Sequence, residues 1–135
     1  MSDNFDLPIF PLNGTILFPE TNLPLNIFEQ RYLNMVDFAL STNKKFGMIQ
    51  SKENGGLYNI GCIGKIISYE ETSDGRYLIN ILGEKYFEVL NEKKIKKLFR
   101  TVEAKEFFPD KSLNKTQINE QTKQSLIQRK ILFSQ

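Results

Sequence analysis

The chain has no histidine, no tryptophan and a single cysteine among its 135 residues. Without histidine, neither a Ser-His-Asp nor a Cys-His nucleophilic site can be assembled, and the commonest metal ligand is missing. Cys62 alone forms no internal disulfide and no thiolate zinc cluster, and an unpaired thiol suits a reducing compartment. Long apolar runs are also missing, since no stretch approaches the roughly 18 residues that a spanning helix needs. The N-terminal MSDNFDLP begins acidic, unlike a secretory signal. These absences lead to the expectation of a cytoplasmic, non-membrane protein with no cofactor. Any catalysis would rest on carboxylates, lysines and tyrosines.

A strong charge of one sign is lacking too. The net charge is +2, with −2 over residues 1–50 and +4 over 51–135, too near neutral to imply nucleic acid by itself. What the chain does have is an ordinary globular composition, long enough for one domain with one core.

LPIFPL (7–12) and TILFP (15–19) are β-rich and separated by Asn13-Gly14, a two-residue hairpin signal. Pro8, Pro11, Pro19 and Pro24 lack a ladder donor and are expected at strand ends, bulges or a sheet edge. A helix is expected over about 27–42. Tyr32, Leu33, Val36, Ala39 and Leu40 share one helical face, and Asn26 with Glu29 has the spacing of a capping box. Strands follow at 46–50, 61–71, 76–82 and 98–108, the third resuming over 85–90, with Asp74-Gly75 as a tight turn and Gly83 as a bulge or bend. Residues 114–135 have helix-forming composition without a single apolar stripe, so a helix there would need several partners. Repeated hairpins with glycine bends predict a strongly curved sheet or partly closed barrel.

Motifs for chemistry fail one by one. GCIGK lacks the first glycine of a phosphate loop, where Asn59 stands, and has Ile66 in place of the magnesium-binding hydroxyl. Its GxxG is flanked by strands, not by the helices of a nucleic-acid clamp. Cys62 lies in an apolar strand with no neighbouring base, and is expected to be an inert thiol. Glu70 and Glu71 are adjacent, so on a strand they face opposite ways. Ser112 and Lys115 have nothing nearby to desolvate the lysine for a dyad. Glu29 is either a helix cap or an inward carboxylate.

Two binding segments remain. Lys93, Lys94, Lys96, Lys97 and Arg100, interleaved with Leu98 and Phe99, contain the ingredients of a phosphate-tracking groove, or of a lysine-protected edge. Phe10, Phe18, Leu23, Leu25, Ile27 and Phe28 crowd together among prolines that oppose regular burial, and Phe18, Pro19, Leu23, Pro24 and Phe28 are the candidate surface for a polypeptide.

LPIFPLNGTILFPETNLPLNIFEQRYLNMVDFAL, then FGMI, then LYNIGCIGKIISYEETSDGRYLINILGEKYFEVL, together resemble the Lon protease N-terminal domain, or LON substrate-binding domain. The resemblance covers residues 6–90 in continuous order, strongest in FPL-x-G-x-x-LFP, LPL-x-IFE-x-RY and G-x-x-G-x-I. It implies an α+β, PUA-like curved six-stranded sheet or pseudo-barrel, with one inserted helix and a C-terminal helix. The expected division is a β-rich domain over 1–110 and the start of a helical part over 111–135. In the family this domain recognises unfolded or degron-bearing polypeptides, while other modules hydrolyse ATP and cleave. The resemblance therefore implies a non-catalytic binder of unfolded or apolar segments. RNA binding through 93–100 is the alternative. Family members continue for several more helices, so self-association through the C-terminal helix is also expected.

Overall fold

The computed structural model describes residues 3–93 and 98–109. Along the chain run β1 (Phe5–Pro11), β2 (Asn22–Ile27), α1 (Gln30–Ser41), β3 (Lys45–Ile49), β4 (Ile60–Glu71), β5 (Tyr77–Glu92) and β6 (Thr101–Phe107). The six strands form one mixed sheet in the order β2-β5-β4-β3-β1-β6, and β6 pairs back onto β5. That last pairing closes five strands into a barrel and leaves β2 with a single neighbour among the described residues. The length of β5 makes this possible: Tyr77–Leu82 pair with β2, and Tyr86–Glu92 pair with β6. Closure needs sharp curvature, which comes from register shifts at Cys62/Gly64 and Ile66/Ser68 on β4 and at Val89/Asn91 on β5. This is the expected α+β pseudo-barrel with one inserted helix. The terminal helix expected at 111–135 lies outside the described residues.

Two clusters fill the interior. The smaller joins Leu7, Ile9, Ile49, Ile63, Phe87, Val102 and Ala104 inside the closed barrel. Phe87 is its centre, and fits only because Gly47 and Gly61 face it: a Cβ at either would sit 2.7 Å from its ring. The larger cluster lies under α1 and β2, and includes Phe10, Leu17, Ile27, Met35, Val36, Ala39, Phe46 and Ile81. The helix reaches it with Val36 and Ala39, which are on the face that periodicity marks, and with Met35, which is not among the residues expected there. On its outer side the Tyr77 hydroxyl donates to Asp37 Oδ1 at 2.8 Å, tying α1 to β5.

The N-terminal third departs from expectation. Residues 15–19 are not a strand, and Asn13-Gly14 is not a hairpin turn, because both edges of β1 are already used. β6 takes Phe5–Pro8 and β3 takes Ile9–Pro11. Pro8 stands where one partner hands over to the other, and Pro11 ends the strand. The chain then loops outward and is held by the buried Gln50. The Gly14 N–H donates to Gln50 Oε1 at 3.2 Å, and Gln50 Nε2 donates to the Thr15 carbonyl. The second strand comes later, as Asn22–Ile27, with Leu23, Leu25 and Ile27 turned inward. Consequently α1 opens at Gln30, three residues past the expected start. Asn26 belongs to β2, and Glu29 holds the N-cap position without a side-chain cap bond.

Candidate functional site

β2, the entry to α1 and the end of β1 converge at one mouth of the barrel. Between them lies a half-open cavity of about 530 Å³, also bordered by Ser51, Gly55 and Arg100. Its floor is apolar. The rings of Phe10 and Tyr32 lie 4.3 Å apart at 40°, with Ile27 buried beside them. Phe28 stands on the rim, 66% exposed. Alternation explains this placement: Leu25 and Ile27 face the core, so the residue after Ile27 must turn away from it.

The polar groups of the rim are matched with one another. The Arg31 guanidinium lies 4.7 Å from the centre of the Tyr32 ring, and its Nε donates to Glu29 at 3.1 Å. A helical residue pair two apart would not meet; these do, because Glu29 is still extended at the cap. Arg100 grips Glu92 with Nε and Nη2, each at 2.7 Å, and Nη2 also donates to the Gly55 carbonyl at 3.2 Å. That guanidinium holds the Glu92 carboxyl below its usual range. Burial pushes the Tyr32 hydroxyl up. The Ser51 hydroxyl donates to Asn13 Oδ1 at 2.7 Å and fastens the two loops together. A smaller cavity of about 290 Å³ shares Arg31, Tyr32 and Arg100, and extends the groove to Leu98 and Phe99.

Of the five residues expected to bind polypeptide, Phe28 alone lines the cavity. Phe18 and Leu23 pack against the larger core cluster, Pro19 is half-buried, and Pro24 is exposed on β2. Of the five basic residues, Lys93 reaches both Asp6 oxygens at 3.2 Å and Arg100 is committed to Glu92. Lys94, Lys96 and Lys97 lie outside the described residues. Cys62 is buried, and desolvation pushes its thiol up to about 12. Among the described residues no cluster of three or more His, Cys, Asp or Glu is grouped for a metal ion. No described helix is long and apolar enough to cross a membrane. What the arrangement offers is an apolar, aromatic-floored recess whose charges are already neutralised.

Sequence reasoning placed Phe10 and Leu25 in the apolar segment without choosing them as candidates, and missed Tyr32 and the loop around Gly55 as lining residues. The cavity draws on four separated segments, and no short motif contains it. The alternation of Leu23, Leu25 and Ile27 was a usable signal for β2, and through it for this mouth.

Comparison with known proteins agrees with this geometry. The profile of the ATP-dependent protease La (LON) substrate-binding domain matches residues 6–133. Lon protease of Buchnera aphidicola is 26% identical over 89 residues, 61% of this chain and 12% of that protein. Lon protease of Dictyoglomus thermophilum is 34% identical over 67 residues, 45% of this chain and 8% of that protein. The matched region thus spans about a tenth of the length of these relatives. Among solved structures, the Lon N-terminal domain protein from Xanthomonas campestris superposes with a TM-score of 0.68 at 24% identity, covering 97% of this chain and 76% of its own. The N-terminal domain of Lon protease from the Mycobacterium avium complex gives a TM-score of 0.68 at 16% identity, covering 96% and 72%. At these identities the two structures speak for the fold. The profile match, running over nearly the whole sequence, shows that the chain belongs to the LON substrate-binding domain family.

Proposed function

We propose that the chain is a non-catalytic polypeptide-binding domain, and that its cavity takes exposed apolar segments of unfolded client proteins. The observation that carries this reading is Phe28, a large apolar side chain held 66% exposed on the rim of a recess floored by Phe10 and Tyr32. Such a rim can bury a client side chain without demanding one sequence. The paired charges around it favour uncharged segments over phosphates. Of the five basic residues on which RNA binding would draw, the two described ones, Arg100 and Lys93, are matched with Glu92 and Asp6.

The test uses reduced, carboxymethylated α-lactalbumin, a permanently unfolded chain, in a fluorescence anisotropy titration. Binding should survive a rise from about 50 to 200 mM salt, where phosphate contacts would lose orders of magnitude. Phe28→Ser should weaken it about tenfold, since much of one aromatic side chain's burial is lost. Absence of binding, or an affinity that Phe28→Ser leaves unchanged, would refute the proposal.

A further inference from the structure

Among the described residues β2 is the strand with an open edge, and its hydrogen-bond phase can be worked out from the way the chain enters it. Glu20 has φ 65°, and its N–H donates to the Gly83 carbonyl at 2.8 Å. The Gly83 N–H in turn donates to the Thr21 carbonyl at 2.8 Å. This is a bulge with its extra residue at Glu20, after which the ladder runs regularly. In an antiparallel pair, bonded and non-bonded positions alternate. Counting on from Thr21, Leu23, Leu25 and Ile27 direct their backbone groups at β5. Asn22, Pro24 and Asn26 direct theirs outward.

This phase explains Pro24. Its missing N–H falls on the open side, where it costs the fold no hydrogen bond and removes a donor from the middle of an exposed edge. The remaining outward groups are the N–H of Asn22 and Asn26 and the three carbonyls. Among the described residues, Asn22 and Asn26 make no other hydrogen bond. Outward groups recur every second residue, about 6.8 Å apart, a spacing that an extended backbone matches. The Asn26 end of this edge opens on the cavity, which Leu25, Asn26, Ile27 and Phe28 all line.

We propose that β2 accepts a short extended segment of a client as an added strand at its Asn26 end, so that alternate apolar side chains of the segment enter the cavity. The inference rests on the polypeptide-binding reading and supplies its mode: backbone bonds give affinity without sequence, and the Phe10–Tyr32 floor selects apolar residues at every second position. Pro24 keeps the added strand short. It also disfavours a second copy of this chain paired along the whole of β2, because that two-fold register would set Pro24 against Pro24 and leave the centre without donors. The neutralised rim favours a segment without charge.

The experiment tiles peptides across carboxymethylated α-lactalbumin and takes the one that binds the intact chain most tightly. Versions N-methylated at single successive positions are then titrated against wild type, Asn26→Pro and Phe28→Ser. Strand addition predicts sensitivity that alternates along the peptide with a period of two. It also predicts a loss of about tenfold in Asn26→Pro, with native near-ultraviolet dichroism, from the missing bond and its stranded partner. Should Asn26→Pro misfold, the methylation pattern still decides. Sensitivity without that period, alongside weakened binding by Phe28→Ser, overturns strand addition and leaves the apolar cavity standing. A peptide set that does not bind wild type at all removes the polypeptide reading itself. Sedimentation showing a dimer that Asn26→Pro dissociates, with peptide affinity unchanged, assigns the edge to a second copy and also overturns the proposal.

Discussion

The two halves of β5 serve opposite ends of the molecule. Its second half, Tyr86–Glu92, pairs with β6, is flanked on the other side by β4 over Tyr86–Glu88, and carries Phe87 into the small cluster of the closed barrel. Its first half, Tyr77–Leu82, is flanked by β4 and by β2, which is the last strand of the sheet among the described residues. One half is sealed by glycines packed on an aromatic ring; the other ends in an open edge beside a cavity. Stability and recognition are thus divided along a single strand, and the division can be attacked from either side.

The largest effect is expected in the sealed half. Phe87 is fully buried, and Gly47 and Gly61 have no side chains with which to refill its place. Phe87→Ala should cost about 4 kcal/mol of unfolding free energy, read from urea denaturation. A loss under about 1 kcal/mol would mean that the barrel collapses easily around the gap, against the close packing described.

The junction between the halves comes next. At Gly83 an added Cβ would run into the Phe18 carbonyl, the backbone that leads into β2. Gly83→Ala should destabilise by about 2 kcal/mol as the loop is forced away. Its signature differs from that of Phe87→Ala. Amide exchange at Leu23 and Leu25, the residues bonded to β5, should accelerate while the Phe87 amide stays protected. Equal acceleration at both places would show that the halves open as one unit, and would break the comparison.

The parts of this arrangement differ in how well they could be foreseen. The α1 face and the turn at Asp74-Gly75 are local: a helical period and a glycine turn signal carry their own evidence, and the structure has a helix and a hairpin there, with a loop of three residues (73–75) and left-handed Gly75. The Thr72 N–H donates to the Arg76 carbonyl at 2.8 Å across that turn. The bend at Gly83 is likewise where the β4–β5 register shifts. The first strands were misjudged for a topological reason. Residues 15–19 have strand composition, but no free edge of β1 remains to receive them. Pro24 disguised β2, since a proline is tolerated there only because its nitrogen faces outward, a fact set by register and invisible to composition. The cavity was hidden more deeply. Phe10, Phe28, Gly55 and Arg100 meet only after the barrel closes, and within the basic run the pairing of Lys93 with Asp6 spans 87 residues.

The smallest expected effect concerns the rim of the open half. Arg100 depresses the Glu92 carboxyl, chiefly through their hydrogen bonds. A carboxyl depressed in the folded state adds stability that is present above its ordinary value of 4.5, and is lost as pH falls through the lower folded value. Because the Glu92 side chain is 39% exposed, screening holds the contribution to about 1 kcal/mol or less. Wild type should therefore lose ground to Glu92→Gln as the pH is lowered from neutrality to about 3, in paired thermal melts. The same acidification releases the guanidinium that holds the Gly55 carbonyl, so protection of the loop at 51–56, taken relative to the intrinsic exchange rate at each pH, should fall in acid while that of the Phe87 amide does not change. Parallel stability curves for the two proteins would remove the ion pair from the account. The shape of the open half would then be left to Phe10, Ile27 and Tyr32 alone.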